Sequence, residues 1–219
     1  FAPATARTEE FPLIPETGIN TQVGVRTMML QVASMEVAAF HNRIADTLIR
    51  ENVDVFGDGL FVNSADADVY GVDVSLRIAP KGTLHRAGMF ADVAWNVTRA
   101  RFRTAPLTGR DVPEVPRQAG SITAGSERVG AWHASATLSH FGSFYADIHN
   151  SREMTTDGGR VPGRTLLGAR LSRTLPQYHG VSVWVQGRNL ADRLYVSDVQ
   201  DGLRPGAPRT VTAGATVRF

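Results

Sequence analysis

Arg50, Arg101, Arg103, Arg110, Arg152, Arg160, Arg193 and Arg204 are the residues through which this sequence offers chemistry. All lie in or beside stretches that read as long polar loops. A guanidinium stays charged and presents a planar fork that matches paired oxygens on carboxylates and similar anions. The chemistry on offer is recognition of an anion, not bond-making. A competing reading makes each arginine a solvated loop charge, or a partner of a loop acid such as Glu51, Asp54, Asp111 or Asp201. Arg50 and Arg103 lie nearest the expected strand ends.

Other chemistries find little support. The chain has no cysteine, which removes disulfides, thiolate metal sites and Cys nucleophiles. It has no Gly-x-Ser-x-Gly, no metal motif and no Ser-His-Asp constellation that stands out, so no enzyme and no cofactor are expected. His41, His133, His140 and His149 invite a metal reading. His133 and His140, seven residues apart, fall on opposite faces of one expected strand and share no site. A net charge of +2 makes no electrostatic case for nucleic acid. Nearly all the basic residues are arginine, Lys81 being the one lysine.

The elements that must position these arginines alternate with period two. In the last ten residues Val211, Ala213, Ala215, Val217 and Phe219 share a face, against Thr210, Thr212, Gly214, Thr216 and Arg218. A transmembrane β-strand needs an apolar side for lipid and a small or polar side for a wet lumen. A half-buried soluble strand alternates too, so the recurrence matters more than one instance. The pattern predicts nine strands: Thr17 to about Met29, Met35–Leu48, Asp68–Ala79, Arg86–Phe102, Val115–Ser126, Ala131–Asp147, Gly163–Thr174, Gly180–Leu190 and Thr210–Phe219. Only the second is ambiguous in facing, because Val37-Ala-Ala-Phe40 is apolar throughout. No run of about 18 apolar residues exists, a test that barrel strands of ~10 residues evade.

Connections are expected to alternate in length. Short ones fall near Leu30–Ser34, Pro80–His85, Glu127–Gly130 and Leu175–His179. Long polar ones fall near Ile49–Ala67, Arg103–Glu114, Ile148–Pro162 and Ala191–Ala207. Short turns at one end and long loops at the other point to an antiparallel up-and-down transmembrane β-barrel. Nine is odd and the chain starts at Phe1, so residues 1–219 are expected to be one incomplete barrel segment that does not fold alone.

Four local signatures carry a family resemblance. Asn189-Leu190-Ala-Asp192-Arg-Leu-Tyr195 is similar to an Asn-Leu-x-Asp-x-x-Tyr motif, and Gly206-Ala-Pro-Arg-Thr-Val211 to the Gly-x-Pro-Arg lead-in of a last strand ending on Phe219. Asn63, Ala65 and Tyr70-Gly-Val-Asp73 resemble an Asn…Gly-Val-Glu strand, and Pro15-Glu16 with Gln22-Val-Gly24 a Pro-Glu…Glu-x-Gly strand. Asp73 and Gln22 stand where Glu is usual, and both keep the position polar. Together these resemble the C-terminal barrel of TonB-dependent outer-membrane receptors of the ferric-siderophore or ferric-citrate type.

The resemblance implies a Gram-negative outer-membrane barrel of about 22 strands, with an N-terminal plug and a TonB-contacting segment (the TonB box) upstream. It implies TonB-energised uptake of a scarce ferric chelate, outer-membrane lipid around the barrel, and the barrel-assembly machinery as a partner through the last strand. The loop arginines become candidate ligand contacts, while Asn189, Leu190, Asp192, Tyr195 and Phe219 become structural motif residues. The alternative is a passive porin-like or structural barrel. Arg26, Arg77, Arg170, Arg188 and Arg218 fall on expected lumen faces, which tolerate charge. Trp95, Trp132, Phe141, Phe144, Tyr145 and Tyr195 are expected mainly as interfacial girdles. Ala215→Arg, on the lipid face, is expected to impair assembly far more than Thr216→Arg.

Overall fold

A computed structural model describes residues 13–29, 32–52, 59–79, 88–129, 131–155, 158–178, 180–199 and 202–217. Among the described residues thirteen strands run in chain order: β1 (Thr17–Met29), β2 (Ala33–Asn52), β3 (Gly59–Ile78), β4 (Met89–Phe102), β5 (Gln118–Val129), β6 (Trp132–Phe141), β7 (Phe144–Tyr145), β8 (Arg160–Val161), β9 (Arg164–Thr174), β10 (Val181–Arg188), β11 (Val196–Asp198), β12 (Arg204–Pro205) and β13 (Thr210–Val217). Nine form one antiparallel sheet in the order β1-β2-β3-β4-β5-β6-β9-β10-β13, with β1 and β13 at its open edges. The other four make two small hairpins within the long connections. Arg218 and Phe219 lie outside the described residues.

Register sorts the alternation into two continuous faces. Val25, Val37, Val74, Trp95, Gly120 and His140 form one cross-strand row. Leu76, Val93, Ile122, Leu138 and Leu167 form the next. These rows build the apolar face. The opposite face carries Arg26, Glu36, Ser75 and Ser121, then Arg77, Asp92, Thr123 and Thr137. The ambiguous stretch resolves cleanly: Val37 and Ala39 join the apolar face, Ala38 and Phe40 the polar one. Gly71 leaves room for the Phe40 ring, because a Cβ there would sit 2.8 Å from Phe40 Cζ.

Polar-face charges are paired across strands. Arg26 binds Glu36 at 2.6 Å, Arg77 meets Asp92 at 3.4 Å, and Asn96 donates to Asp73 at 2.7 Å. Arg170 stacks 4.5 Å from the Trp184 ring centroid. The Arg26–Glu36 pair is exposed, so Glu36→Gln is expected to change unfolding free energy by less than about 1 kcal/mol. A urea midpoint checks that.

Three expectations need correction. β2 and β3 are 20 residues long, against 8–14 for the other strands of the sheet. Pairing continues from Leu48↔Asn63 to Asn52↔Gly59, so most of the first long loop is a projecting hairpin. Its Asn, Asp and Gly residues read as loop, but backbone pairing does not require apolar alternation. The sixth strand stops at Phe141, and residues up to Asp147 belong to the next connection. Ala215 lies in one row with Val183, Arg173 and Trp132, where Arg173 already sits 5.1 Å from the Trp132 ring centroid. An added arginine there joins a row that already carries an arginine, so its expected cost moves toward the low end of the membrane range.

Candidate functional site

The upper end of the sheet, where the long connections gather, is a packed roof. Phe102 and Ala67 at the strand tops are 2% and 1% exposed, and Ala65, Leu107 and Ile148 complete a cluster with Val112 against it. Connection 103–117 thereby folds onto the polar side of β3 and β4 and meets connection 142–163. Asn150 locks the two together. Its Oδ1 accepts from Asp111 N at 2.7 Å, and its Nδ2 donates to Asp111 O at 2.9 Å. Glu114 N donates to Tyr145 O at 2.8 Å.

Asp147 organises the second connection. It accepts from Gly159 N at 2.7 Å and from both Ser151 N and Oγ at 3.2 Å. Partial burial pushes its carboxyl up, but bonds from Gly159, Ser151 and His149 outweigh that and hold it below the ordinary value. A depressed folded-state value gives stability that is present above the unfolded pKa of about 3.9 and is lost as pH falls through the folded value. The connection is therefore expected to stay docked at mild acidity and loosen only below about pH 4. Asp147→Asn should flatten that acid response, read by limited proteolysis across pH.

The sequence-predicted arginines scatter over the upper end of the sheet instead of converging, with Arg101 on the apolar face beside Asp68 and not in the roof. Arg101 pairs with Asp111 at 3.4 Å and Arg103 with Asp68 at 3.1 Å. Arg110 reaches His149 Nδ1 at 2.9 Å, and Arg160 donates to Ser143 Oγ at 3.0 Å. Arg204 lies 3.7 Å from Asp198. Arg193 is exposed, its backbone bonded to the Asn189 side chain. Arg152 is exposed and has no side-chain partner among the described residues. The Arg50 side chain lies outside the described residues. Among the described residues no group of His and acids could hold a metal ion.

The Asn-Leu-x-Asp-x-x-Tyr stretch is a clamp on the last strand. Asn189 is 5% exposed, with φ 47°. Its Nδ2 donates to Arg193 O at 2.9 Å and Ala207 O at 3.0 Å, while Oδ1 accepts from Arg193 N at 2.9 Å. Leu190 N donates to Leu167 O at 2.8 Å. Asp192 accepts from Arg209 N at 2.9 Å. The Tyr195 ring covers Gly206, where any Cβ would collide with it. Asn63 and Glu16 play the same part at the other end of the sheet. Asn63 bonds Ile14 N and O at 2.9 Å and Asp46 O at 2.6 Å; Glu16 accepts from Leu48 N.

A profile of the TonB dependent receptor-like, beta-barrel family matches residues 3–190. The chain belongs to that family. No curated protein sequence matches this receptor segment. Its fold is similar to solved structures of the ferric citrate transporter FecA (TM-score 0.79, 20% identity, 94% of this chain and 32% of that one). It is similar to the ferric yersiniabactin uptake receptor FyuA from Yersinia pestis (0.71, 21%, 93% and 30%) and the copper transporter OprC (0.74, 13%, 95% and 33%). The receptor segment thus spans about a third of the length of the structures it matches.

Several residues of the receptor roof escaped sequence reasoning. Asn150 and Asp147 carried no periodic signal, although Asp147 and Asn150 three apart, followed by Ser151, fit a side-chain-capped turn. Arg164 stands 4.4 Å from the Phe141 and 5.1 Å from the Tyr195 ring centroids, and donates to Val196 O at 3.0 Å. Phe141, Phe144 and Tyr195 therefore pack within the roof and not in a girdle, Phe144 being buried and edge-on to Phe141. Trp95 and Trp132 do lie on the apolar face; Trp95 stacks on His140 at 5.6 Å.

Proposed function

We propose that this chain supplies the C-terminal nine strands of an outer-membrane receptor barrel for TonB-energised uptake of a ferric siderophore or ferric citrate. The family match over residues 3–190 supports this reading most strongly. The arginine-bearing roof over the polar face suits an anionic chelate, which guanidinium forks bind through charge-assisted hydrogen bonds. In this reading the chain performs no bond-making. The plug and the TonB-contacting segment belong to the rest of the receptor, and the barrel sits in the Gram-negative outer membrane.

Equilibrium titration of the intact receptor with ferric citrate, a ferric catecholate and a ferric hydroxamate tests the ligand class. Saturable binding of at least one is expected. Arg152→Gln, which removes an exposed cation with no side-chain partner among the described residues, should weaken that binding about tenfold to hundredfold. No binding of any anionic chelate would move the reading to a passive porin-like barrel.

A further inference from the structure

Four neighbouring strands of the polar face carry cations and no anions. β6, β9, β10 and β13 contain no Asp or Glu along their whole length. On their polar side stand Arg164 and Arg170 of β9 and Arg188 of β10. Arg164 lies opposite Phe141 at the roof, and Arg170 lies opposite Ser135 six residues further down β9. Arg188 follows Gly187, which faces Ala169, so it falls on the row of Gly168 between them. The three cations thus descend in steps of about 14 Å and about 7 Å along the strands.

The polar side of β1 to β4 is different. Arg26 and Arg77 there are answered by Glu36 and Asp92, and Asp73 adds a third carboxylate. The arginines of β9 and β10 have only neutral partners among the described residues. Arg164 stacks on the Phe141 and Tyr195 rings and donates to Val196 O. Arg170 stacks on Trp184 and donates to Gln186 Oε1 at 3.1 Å. Arg188 is exposed and has no side-chain partner among the described residues. Rings and amides fix the position of a guanidinium without cancelling its charge. Each of the three keeps N–H groups for an incoming anion.

The wall beside these cations is neutral and built from small side chains. Ser121 and Ser139, Thr123 and Thr137, then Gly125 and Ser135 continue the same rows across β5 and β6. A path for a charged solute must bind it well enough to admit it, and weakly enough at several sites to release it. Spaced guanidinium groups beside short hydroxyl side chains meet both demands for an anion. We propose that Arg164, Arg188 and Arg170 form a relay that passes an anionic chelate from the roof toward the inner end of the barrel. The relay rests on the proposed uptake and gives it a route along one side of the lumen. Charge without a resident carboxylate is what each step supplies, and the multiplicity of steps is what allows release.

The test uses cells carrying the intact receptor, given radiolabelled ferric citrate or a ferric catecholate, both anionic. Equilibrium surface binding and initial uptake rate are read separately. Arg170→Gln with Arg188→Gln is expected to slow uptake of the accepted chelate about tenfold, while surface binding stays within about twofold. Arg170→Lys with Arg188→Lys keeps the charges and should keep the rate within about threefold. Arg26→Gln, on the β1 side, should change neither reading. Heat-modifiable mobility confirms folding, and Arg188→Gln alone, slowing uptake about threefold, replaces the pair if that fails to fold. An unchanged rate in the Gln variants, equal slowing by the Lys pair, or surface binding that weakens as much as uptake would overturn the relay and leave the proposed uptake standing. Entry that no longer needs the TonB complex would also overturn it, by assigning these arginines to holding the plug. Uptake of neither chelate by the wild-type receptor would overturn the relay together with the anionic-chelate reading on which it rests.

Discussion

Asn189→Ala is expected to destabilise the intact receptor by about 3 kcal/mol, and to lower the yield of heat-modifiable barrel. The change strips partners from Arg193 N, Arg193 O and Ala207 O at a site only 5% exposed. Arg193 and Ala207 are exposed residues and the three bonds are only partly buried, so each group left unpaired costs about 1 kcal/mol, the low end of the usual range. Alanine also tolerates φ 47° less well than asparagine, by roughly 1 kcal/mol. Two further variants separate the causes. Asn189→Gly relieves the backbone but restores no bond, so it should recover only that smaller part. Asn189→Asp keeps the acceptor for Arg193 N and loses both donated bonds, so it should fall between. Wild-type-like urea midpoints for all three would show that Ala207 is held by other contacts.

Ala136→Arg and Thr137→Arg, neighbours at the middle of β6, are expected to differ sharply. Ala136 sits on the apolar face between Ala124 and Ala169. Thr137 sits on the polar face, its Oγ1 2.9 Å from Thr123 Oγ1. An arginine at the lipid midplane costs about 2–4 kcal/mol, while a lumen-facing one is tolerated. Assembly in cells, read as the heat-modifiable fraction, should collapse for Ala136→Arg and persist for Thr137→Arg. The pair tests facing more cleanly than Ala215 and Thr216, because the Ala215 row already carries Arg173. Equal tolerance of both arginines would remove the membrane reading of the apolar face.

Much of this fold was legible because side-chain period and backbone period coincide in a strand. Leu167, Ala169 and Leu171 read as one face in the sequence and occupy one face in the sheet. Where pairing does not depend on apolar alternation, as from Leu48 to Asn52, the sequence understated the strand. The loops were less legible for a physical reason. Arg101, Arg103 and Arg110 look alike in a polar stretch, yet their roles follow from Asp111, Asp68 and His149, which only the folded chain brings near. Spacing carries no information about such contacts when the partners sit 10 to 39 residues away. The Asn189 motif was legible as a pattern, whereas its work on Ala207 and Arg209 became visible only in three dimensions.

Uptake of radiolabelled ferric chelate by cells carrying the intact receptor, with and without a working TonB complex, tests the central claim most directly. The account predicts saturable accumulation of ferric citrate or a ferric siderophore that vanishes when the TonB complex is disabled. Accumulation that persists unchanged without TonB would contradict it and leave a passive barrel.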